Sequence, residues 1–329
     1  ITHDHTLQNV LAGSALLYGG LKDVSTFYQH AMINHSYIES AYRFVDGSMQ
    51  VSLELIDVIR DNGGTVLNNS EATRIIVENE KVQGVIVNGE ERLESDYVIS
   101  NIHPKRTLEI LDKNRSIKNA FISRIRSLDN TYGIFTLYLV MKKKSTPYQN
   151  RNIYLHGNNK VWYDKLLYPG RTTNCMISMQ ASSEDSQYAS VISILTPMYM
   201  DELSTWKDSS PEHRGEGYQF FKKEKAEQIL RFLRRHGFDF SENIEELFTT
   251  TPLSYRDYTG TVDGSAYGII KDYKCPQIGF VSTRSRLGNL FFTGQNLNVH
   301  GALGVTLTAM LTCTEFVGQE YLAKKVGNA

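Results

Sequence analysis

The sequence predicts a mixed α/β chain: a compact α/β unit in its early part, a mixed or antiparallel-sheet α+β stretch with helices in the middle, and a late strand, turn and helix. Three observations predict it. Residues 289–310, NLFFTGQNLNVHGALGVTLTAM, pass from an apolar β-type run through a glycine turn into a helix-periodic stretch. Residues 42–104 read as helix, strand, small meander and returning strand. Residues 105–250 hold apolar β-like runs separated by long polar stretches, the pattern of an antiparallel sheet with one covered face.

Taken in order, residues 1–40 read as helical and mixed, with apolar patches at Val10, Leu11, Leu16 and Leu17. His3-Asp4-His5 has metal-binding residue types, but catalytic metals usually draw on three ligands held by a rigid scaffold, and a solvated terminus is the simpler account. Asp46 or Ser48 can cap a helix with Val51, Leu55, Val58 and Ile59 on one face, and Asn62-Gly63-Gly64 can end it. Strands are expected at 65–67, 73–77, 82–87 and 97–100, with a tight turn at Asn88-Gly89. Further strands are expected at 132–141, 152–155, 175–179 and 191–195.

A helix over 220–235 turns Phe221, Ala226, Ile229, Leu230 and Leu233 inward. Its Lys222-Lys223 and Arg234-Arg235 pairs read as a solvated face, because Glu224 and Glu227 interrupt them. Residues 251–268, TPLSYRDYTGTVDGSAYG, lack periodicity and read as a loop whose Tyr255, Tyr258 and Tyr267 either line an apolar pocket or lie on the surface. The last helix is expected to bury a stripe of Leu303, Leu307, Met310, Leu311, Val317 and Tyr321, leaving its first turn free.

That first turn is where ligand chemistry is expected. The opening N–H groups of a helix have no intrahelical partner and carry partial positive charge, so an electron-rich group docks there. Gly294, Gly301 and Gly304 let a flat ligand approach the backbone. The same strand, turn and helix is also an ordinary connection in any α/β domain, and His300 either hydrogen-bonds a ligand or caps the helix, the cap being favoured.

Composition excludes several classes. With 35 basic and 36 acidic residues in 329, the chain has no global attraction to nucleic acid. Cys175, Cys275 and Cys313 are too few and too scattered for a disulfide framework or a cysteine zinc site, which implies a reducing compartment. No apolar run is long enough to suggest a membrane span, and the opening residues lack a signal-peptide pattern. A cytoplasmic location follows, with peripheral membrane contact kept open.

No G-x-G-x-x-G follows a strand; Gly215-Glu216-Gly217 lacks the third glycine. Walker, H-E-x-x-H, G-x-S-x-G and C-x-x-C motifs are absent, and Gly264-Ser265-Ala266-Tyr267-Gly268 has the wrong spacing for a nucleophile elbow. No catalytic residue and no metal ligand is named.

Three blocks, 42–101 (YRFVDGSMQ…DYVISN), 251–268 and 289–309, together resemble the phytoene desaturase group of FAD-dependent oxidoreductases, which includes carotenoid isomerases and retinol saturases. They cover roughly 100 of the 329 residues and stand in the family's order. The resemblance implies an incomplete FAD/NAD(P)-binding Rossmann-like domain joined to a substrate domain. It divides the chain into 1–40 (helical part of the substrate domain), 41–105 (FAD domain), 106–270 (substrate domain) and 271–329 (FAD domain). It implies that the Ala72 backbone clamps the adenine ring and that Asn101 belongs to the cofactor-binding set. Gly294 and Gln295 would lie against the ribityl and pyrophosphate portion, and Gly301, Ala302, Gly304 and Val305 would present N–H groups to the isoalloxazine. Tyr258 and Tyr267 would line the substrate side.

The sequence departs from the family in three places. Gln295 stands where relatives have Asp, Glu or Ala, Val299-His300 where they have Pro-Gly, and Asp46-Gly47 where they have Gly-Gly. The glycine-rich βαβ unit is absent from the sequence, so the main pyrophosphate anchor is missing and the chain alone is expected to bind FAD weakly or not at all and to be inactive. The implied activity of a full-length protein is that of a desaturase, saturase or isomerase of a lipophilic, isoprenoid-like substrate. An amine oxidase-type flavoenzyme and a non-catalytic module for lipophilic ligands are the alternatives, and self-association through bared apolar surface is expected.

Overall fold

The computed structural model describes residues 2–157, 161–163 and 170–327. In chain order the elements are α1 (His5–Ala12), α2 (Phe27–Glu39), α3 (Met49–Asp61), β1 (Ala72–Glu78), β2 (Lys81–Val87), β3 (Glu91–Glu94), β4 (Val98–Ser100), α4 (Pro104–Ile110) and α5 (Asn119–Arg126). There follow β5 (Gly133–Met141), β6 (Ile153–His156), β7 (Asn174–Ala181), β8 (Ala189–Met198), α6 (Gly215–Arg235), β9 (Ile244–Thr250), α7 (Pro252–Thr259), β10 (Leu290–Phe292), α8 (Gly301–Val317) and α9 (Gln319–Gly327). The expected mixed α/β class is the one observed.

The chain forms two compact units. One comprises residues 1–23, 30–66 and 132–257; the other comprises 24–29, 67–131 and 258–329.

The first unit is built on an antiparallel sheet of order β6-β7-β8-β5-β9. Alternate positions of its strands enter one core, Phe135, Leu137, Leu139 and Met141 on β5 and Cys175, Ile177 and Met179 on β7 meeting Ile192 and Ile194 of β8, while Ile134, Thr136 and Met176 are buried on the other face. Tyr218, Ala226, Ile229, Phe232 and Leu233 of α6 join that core, so the helix covers this face. Burying each such aliphatic side chain stabilises by about 2 kcal/mol. Asp4, in the suspected metal triplet, instead caps α1, accepting from the N–H of Thr6 at 2.8 Å and of Leu7 at 3.2 Å.

α3 ends as expected, Gly63 adopting φ +80 and donating its N–H to the Arg60 carbonyl at 2.9 Å. Neither candidate caps it. Ser48 occupies the cap position without a side-chain bond, and the Asp46 carboxylate accepts from the Ser183 N–H. The face carrying Val51, Leu55, Val58 and Ile59 is exposed.

In the second unit, β1, β2 and β3 form an antiparallel meander, and β4 pairs in parallel with β10, aligning Val98 with Leu290 and Ser100 with Phe292. β3 was not expected, and the expected strand at 65–67 has no ladder, because no neighbouring backbone pairs with it. Asn289 joins the meander to β10: its side chain accepts from the Val82 N–H and donates to the carbonyls of Val82 and Asp96, all within 3.0 Å.

Two expectations are corrected. The stretch 251–268 is not all loop. Pro252 opens α7, and the Thr251 hydroxyl accepts from the Leu253 N–H at 3.1 Å, a local cap that periodicity cannot register. α8 turns the opposite face inward: Gly304, Thr308 and Thr312 are buried and Met310 is half-buried, while Leu303, Leu307, Leu311 and Val317 are exposed, as is Tyr321 on α9. Small residues four apart let the helix lie close, and the Thr312 hydroxyl donates to the Phe292 carbonyl at 3.1 Å. Its apolar content therefore points away from the strand it packs on. Among the described residues no helix is long and apolar enough to cross a membrane.

Candidate functional site

The side-by-side carboxyl ends of β4 and β10 create the site. In parallel strands the chain must leave at the same end, so the turns after Ser100 and Phe292 converge, and such an end is where α/β sheets receive ligands. The Thr293 N–H donates to the Ser100 carbonyl at 3.0 Å, carrying the pairing one step past the ladder. Gly294 then adopts φ +92, and a Cβ there would meet Asn101 Oδ1 at 2.0 Å. Only glycine fits this approach. The turn closes through the Leu297 N–H on the Gly294 carbonyl at 3.3 Å, and α8 begins at Gly301 with φ +77.

Two histidines precede the helices that leave these strands, with opposite fates. His103 caps α4: Nδ1 accepts from the Lys105 N–H at 3.1 Å and Nε2 meets Asn130 Oδ1 at 2.9 Å. His300 occupies the cap position of α8, as favoured from the sequence, but its side chain makes no cap bond. Its ring packs 4.8 Å from that of Tyr267, and its Nε2 is buried without a hydrogen-bond partner. Burial, and secondarily the charge of Lys271, push its pKa down to about 4, so it is neutral at physiological pH.

Three other buried polar atoms of this unit lack partners: Thr261 Oγ1, Ser265 Oγ and Asn296 Oδ1. Gly268, with φ +72, lies so near that a Cβ would meet Asn296 Oδ1 at 2.3 Å. Unsatisfied buried groups are uncommon in native proteins and frequently mark where a ligand or ordered water completes the bonding.

Of the residues singled out in the sequence, Asn101 and Gly294 are brought into contact. Gln295 follows in the same turn and is half-buried. Gly301, Ala302, Gly304 and Val305 form the first turn of α8, with Gly304 buried and Gly301 and Ala302 exposed. Tyr267 joins them through His300, whereas Tyr258, at the end of α7, is 81% exposed. Ala72 opens β1 on an exposed stretch, paired with Val87. Sequence reasoning missed Lys271 and Asn296; a single lysine after Ile269-Ile270 carries no signal of burial.

Gly294, Gly268 and Gly304 are held against Asn101, Asn296 and the Val299 carbonyl of the protein itself, and the exposed first turn of α8 beside the unpartnered His300 Nε2 and Asn296 Oδ1 suits the flat and ribityl parts of a flavin. For a pyrophosphate the sequence supplies no glycine-rich strand-to-helix turn. The first unit holds two cavities of about 980 Å³ and 540 Å³ that share Ser14, Asn34 and Tyr154. Beside the larger, His156 is oriented by the Gly13 carbonyl at 2.9 Å and by Asn174.

Comparison with known proteins first gives a class. The chain has the fold of known oxidoreductases. It aligns with an oxidoreductase from Methanosarcina mazei at a TM-score of 0.60, 17% identity, and coverage of 94% of this chain and 64% of that one. A putrescine oxidase redesigned in its cofactor binding aligns at 0.52, with 14% identity over 87% of this chain and 54% of that one.

The particular relatives are all-trans-retinol 13,14-reductases. That of Rattus norvegicus is 22% identical over 336 residues, covering 93% of this chain and 54% of the relative. That of Macaca fascicularis is 21% identical over 328 residues, with the same coverages. The chain thus spans about half the length of the curated relatives it matches, and the likeness to retinol saturases read from the three sequence blocks holds. No family model matches the chain.

Proposed function

We propose that this chain belongs to an FAD-dependent oxidoreductase acting on a lipophilic, isoprenoid-like substrate, with the second unit carrying its share of the flavin site. The observation that carries this reading is the contact of Gly294 with Asn101 at the paired ends of β4 and β10, from which the turn after β10 leads into the first turn of α8. Likeness to retinol reductases over nearly the whole chain supports the substrate class. A bound flavin would supply the redox step by hydride or electron transfer.

The chain's own residues bind and orient. Gly294 and Gln295 receive the ribityl portion, Gly301 and Ala302 offer the free backbone N–H groups of the first turn to the ring, and Gly304 and Val305 are assigned beside it, where partial positive charge favours an electron-rich edge. Ala72 is assigned to the adenine end. Neutral His300 stands by with an unpartnered nitrogen, and the Tyr267 ring packs beside it on the substrate side. Tyr258, exposed on its helix, is assigned to the substrate path. No residue of this chain is assigned as an acid or base.

A flavin titration, with and without a glycine-rich βαβ segment joined ahead of the chain, tests the reading. Flavin bound stoichiometrically once that segment is joined, and weakly or not at all before, is expected; no binding in either state overturns it. A second reading draws on the adjoining cavities of the first unit, whose walls include Val10, Leu11 and Tyr154: a lipophilic-ligand module without cofactor. Tight retinoid binding by this chain, unchanged on joining the segment, would favour it. Self-association and contact with a membrane surface are proposed on the exposed apolar faces of α3 and α8, and a monodisperse monomer in sedimentation would refute the first.

A further inference from the structure

Beneath the cradle turn lies a buried cation with no counter-ion. Lys271 is 8% exposed, and among the described residues no carboxylate pairs with it. Its ammonium donates to three backbone carbonyls: that of Gly279, that of Leu297 at 3.0 Å and that of Asn296 at 3.4 Å. It also sits 5.1 Å over the Phe280 ring. The lysine is itself anchored, since Asn130 bridges Ile269 and Ser25 bridges Asp272 on either side of it.

The partner turn is held from its other side. Arg124 on α5 donates to the carbonyls of Ile278 at 2.9 Å and Phe280 at 3.1 Å, so three consecutive carbonyls each accept from a cation. The turn packs closely there, since a Cβ at Gly279 would meet the Ile270 carbonyl at 2.9 Å. Asn296 and Leu297, the other end of the tie, follow Gln295 directly and precede His300 by three residues.

Burying a lone ammonium is unfavourable, and burial pushes the Lys271 pKa down to about 8. A methionine of similar length would fill the space without that penalty. What the ammonium supplies and a methionine does not is direction, since its hydrogens fix two carbonyls of one segment against one of another.

We propose that Lys271 is the positioning residue of the cradle, tying the Asn296 and Leu297 carbonyls to the 278–280 turn and so fixing the chain from Gly294 to His300 on which the ligand is received. The identity of that ligand as a flavin rests on the function proposed above; the tie itself does not. Among the described residues, the charged and titratable groups around Lys271 are His300, Arg124 across the 278–280 turn, and Tyr28 in the adjoining cavity. A cavity of about 220 Å³, walled by Pro276, Phe280, Asn298 and Val299, borders the ammonium.

Lys271→Met and Lys271→Arg in the full chain test the proposal by amide hydrogen exchange over 294–300, by NMR titration of the His300 ring and by FAD affinity. In Lys271→Met the turn amides are expected to exchange about tenfold faster or more, the loss of one charged hydrogen-bond donor, with α6 unaffected. The His300 pKa is expected to rise, and FAD binding to weaken about tenfold. Lys271→Arg is expected to restore protection and the His300 value.

Unchanged protection over 294–300 in Lys271→Met overturns the proposal, as does faster exchange with undiminished FAD affinity. If Lys271→Met does not fold, Lys271→Gln, which keeps a neutral donor, is read by the same exchange and titration. If even the unaltered protein with a glycine-rich βαβ segment joined ahead of it takes up no FAD, the flavin reading falls, and exchange and titration alone decide the tie.

Discussion

Gly304→Ala sets two physical effects against each other. In an exposed helix interior the change would stabilise by up to about 1 kcal/mol, because glycine loses more backbone entropy than alanine. Gly304 is buried, however, and its added Cβ would lie 2.4 Å from the Val299 carbonyl oxygen and 2.6 Å from the Val299 carbonyl carbon. Both are backbone, so no rotamer relieves the clash, and the turn must retreat by about 1 Å to reach ordinary contact. Downstream of Asn296 and Leu297, whose carbonyls Lys271 holds, that retreat distorts the cradle. Overpacking of this kind costs about 1–3 kcal/mol, and against fixed backbone the upper end applies, leaving a net loss of about 2 kcal/mol.

The assay is urea denaturation combined with amide exchange over 301–317, so that loss of the second unit is followed by itself. Gly301→Ala is the control: no atom lies within 4 Å of its Cβ, and only the left-handed φ of +77 is strained, costing about 1 kcal/mol. A Gly304→Ala protein as stable as the parent, or more so, would show that the turn moves freely and that close approach does not constrain this site.

Three further outcomes are expected. Gly294→Ala places a Cβ on Asn101 Oδ1 at a φ of +92, so it should destabilise by about 2 kcal/mol or more in denaturant, and Asn101→Gly in the same chain should recover part of the loss. His300 has a folded pKa near 4, below its ordinary value of 6.5. The associated stability is therefore present above pH 6.5 and lost as pH falls towards 4, by at most about 3 kcal/mol, and His300→Gln should flatten the stability profile over that window. Asn289→Ala removes three hydrogen bonds to the backbone of Val82 and Asp96 and should lower stability by about 2–3 kcal/mol, with exchange rising in β2 and β10 while β5 is unaffected.

Much of the architecture was legible in the sequence where the signal was local. Apolar runs between long polar stretches marked the strands of the first unit, the 3.6-residue period of α6 marked its inner face, and Gly63 and Gly294 marked turns, where the backbone is left-handed. These are properties of short stretches, set by sterics and by which side chains leave water together. The three-block resemblance to retinol saturases was legible for the same reason, since each block is a contiguous run.

What only the tertiary structure decided depended on distant neighbours. Hydrophobic period located α8 but assigned it the wrong face, because close packing on Phe292 selected the small residues Gly304, Thr308 and Thr312 over the leucines. The contact of Gly294 with Asn101 joins positions nearly two hundred residues apart through a parallel pairing that no local pattern encodes. His300 gave the right cap position and the wrong use of its side chain, and Lys271 gave no signal at all. Burial and the loss of water around a charge exist only once segments from elsewhere in the chain have closed over it.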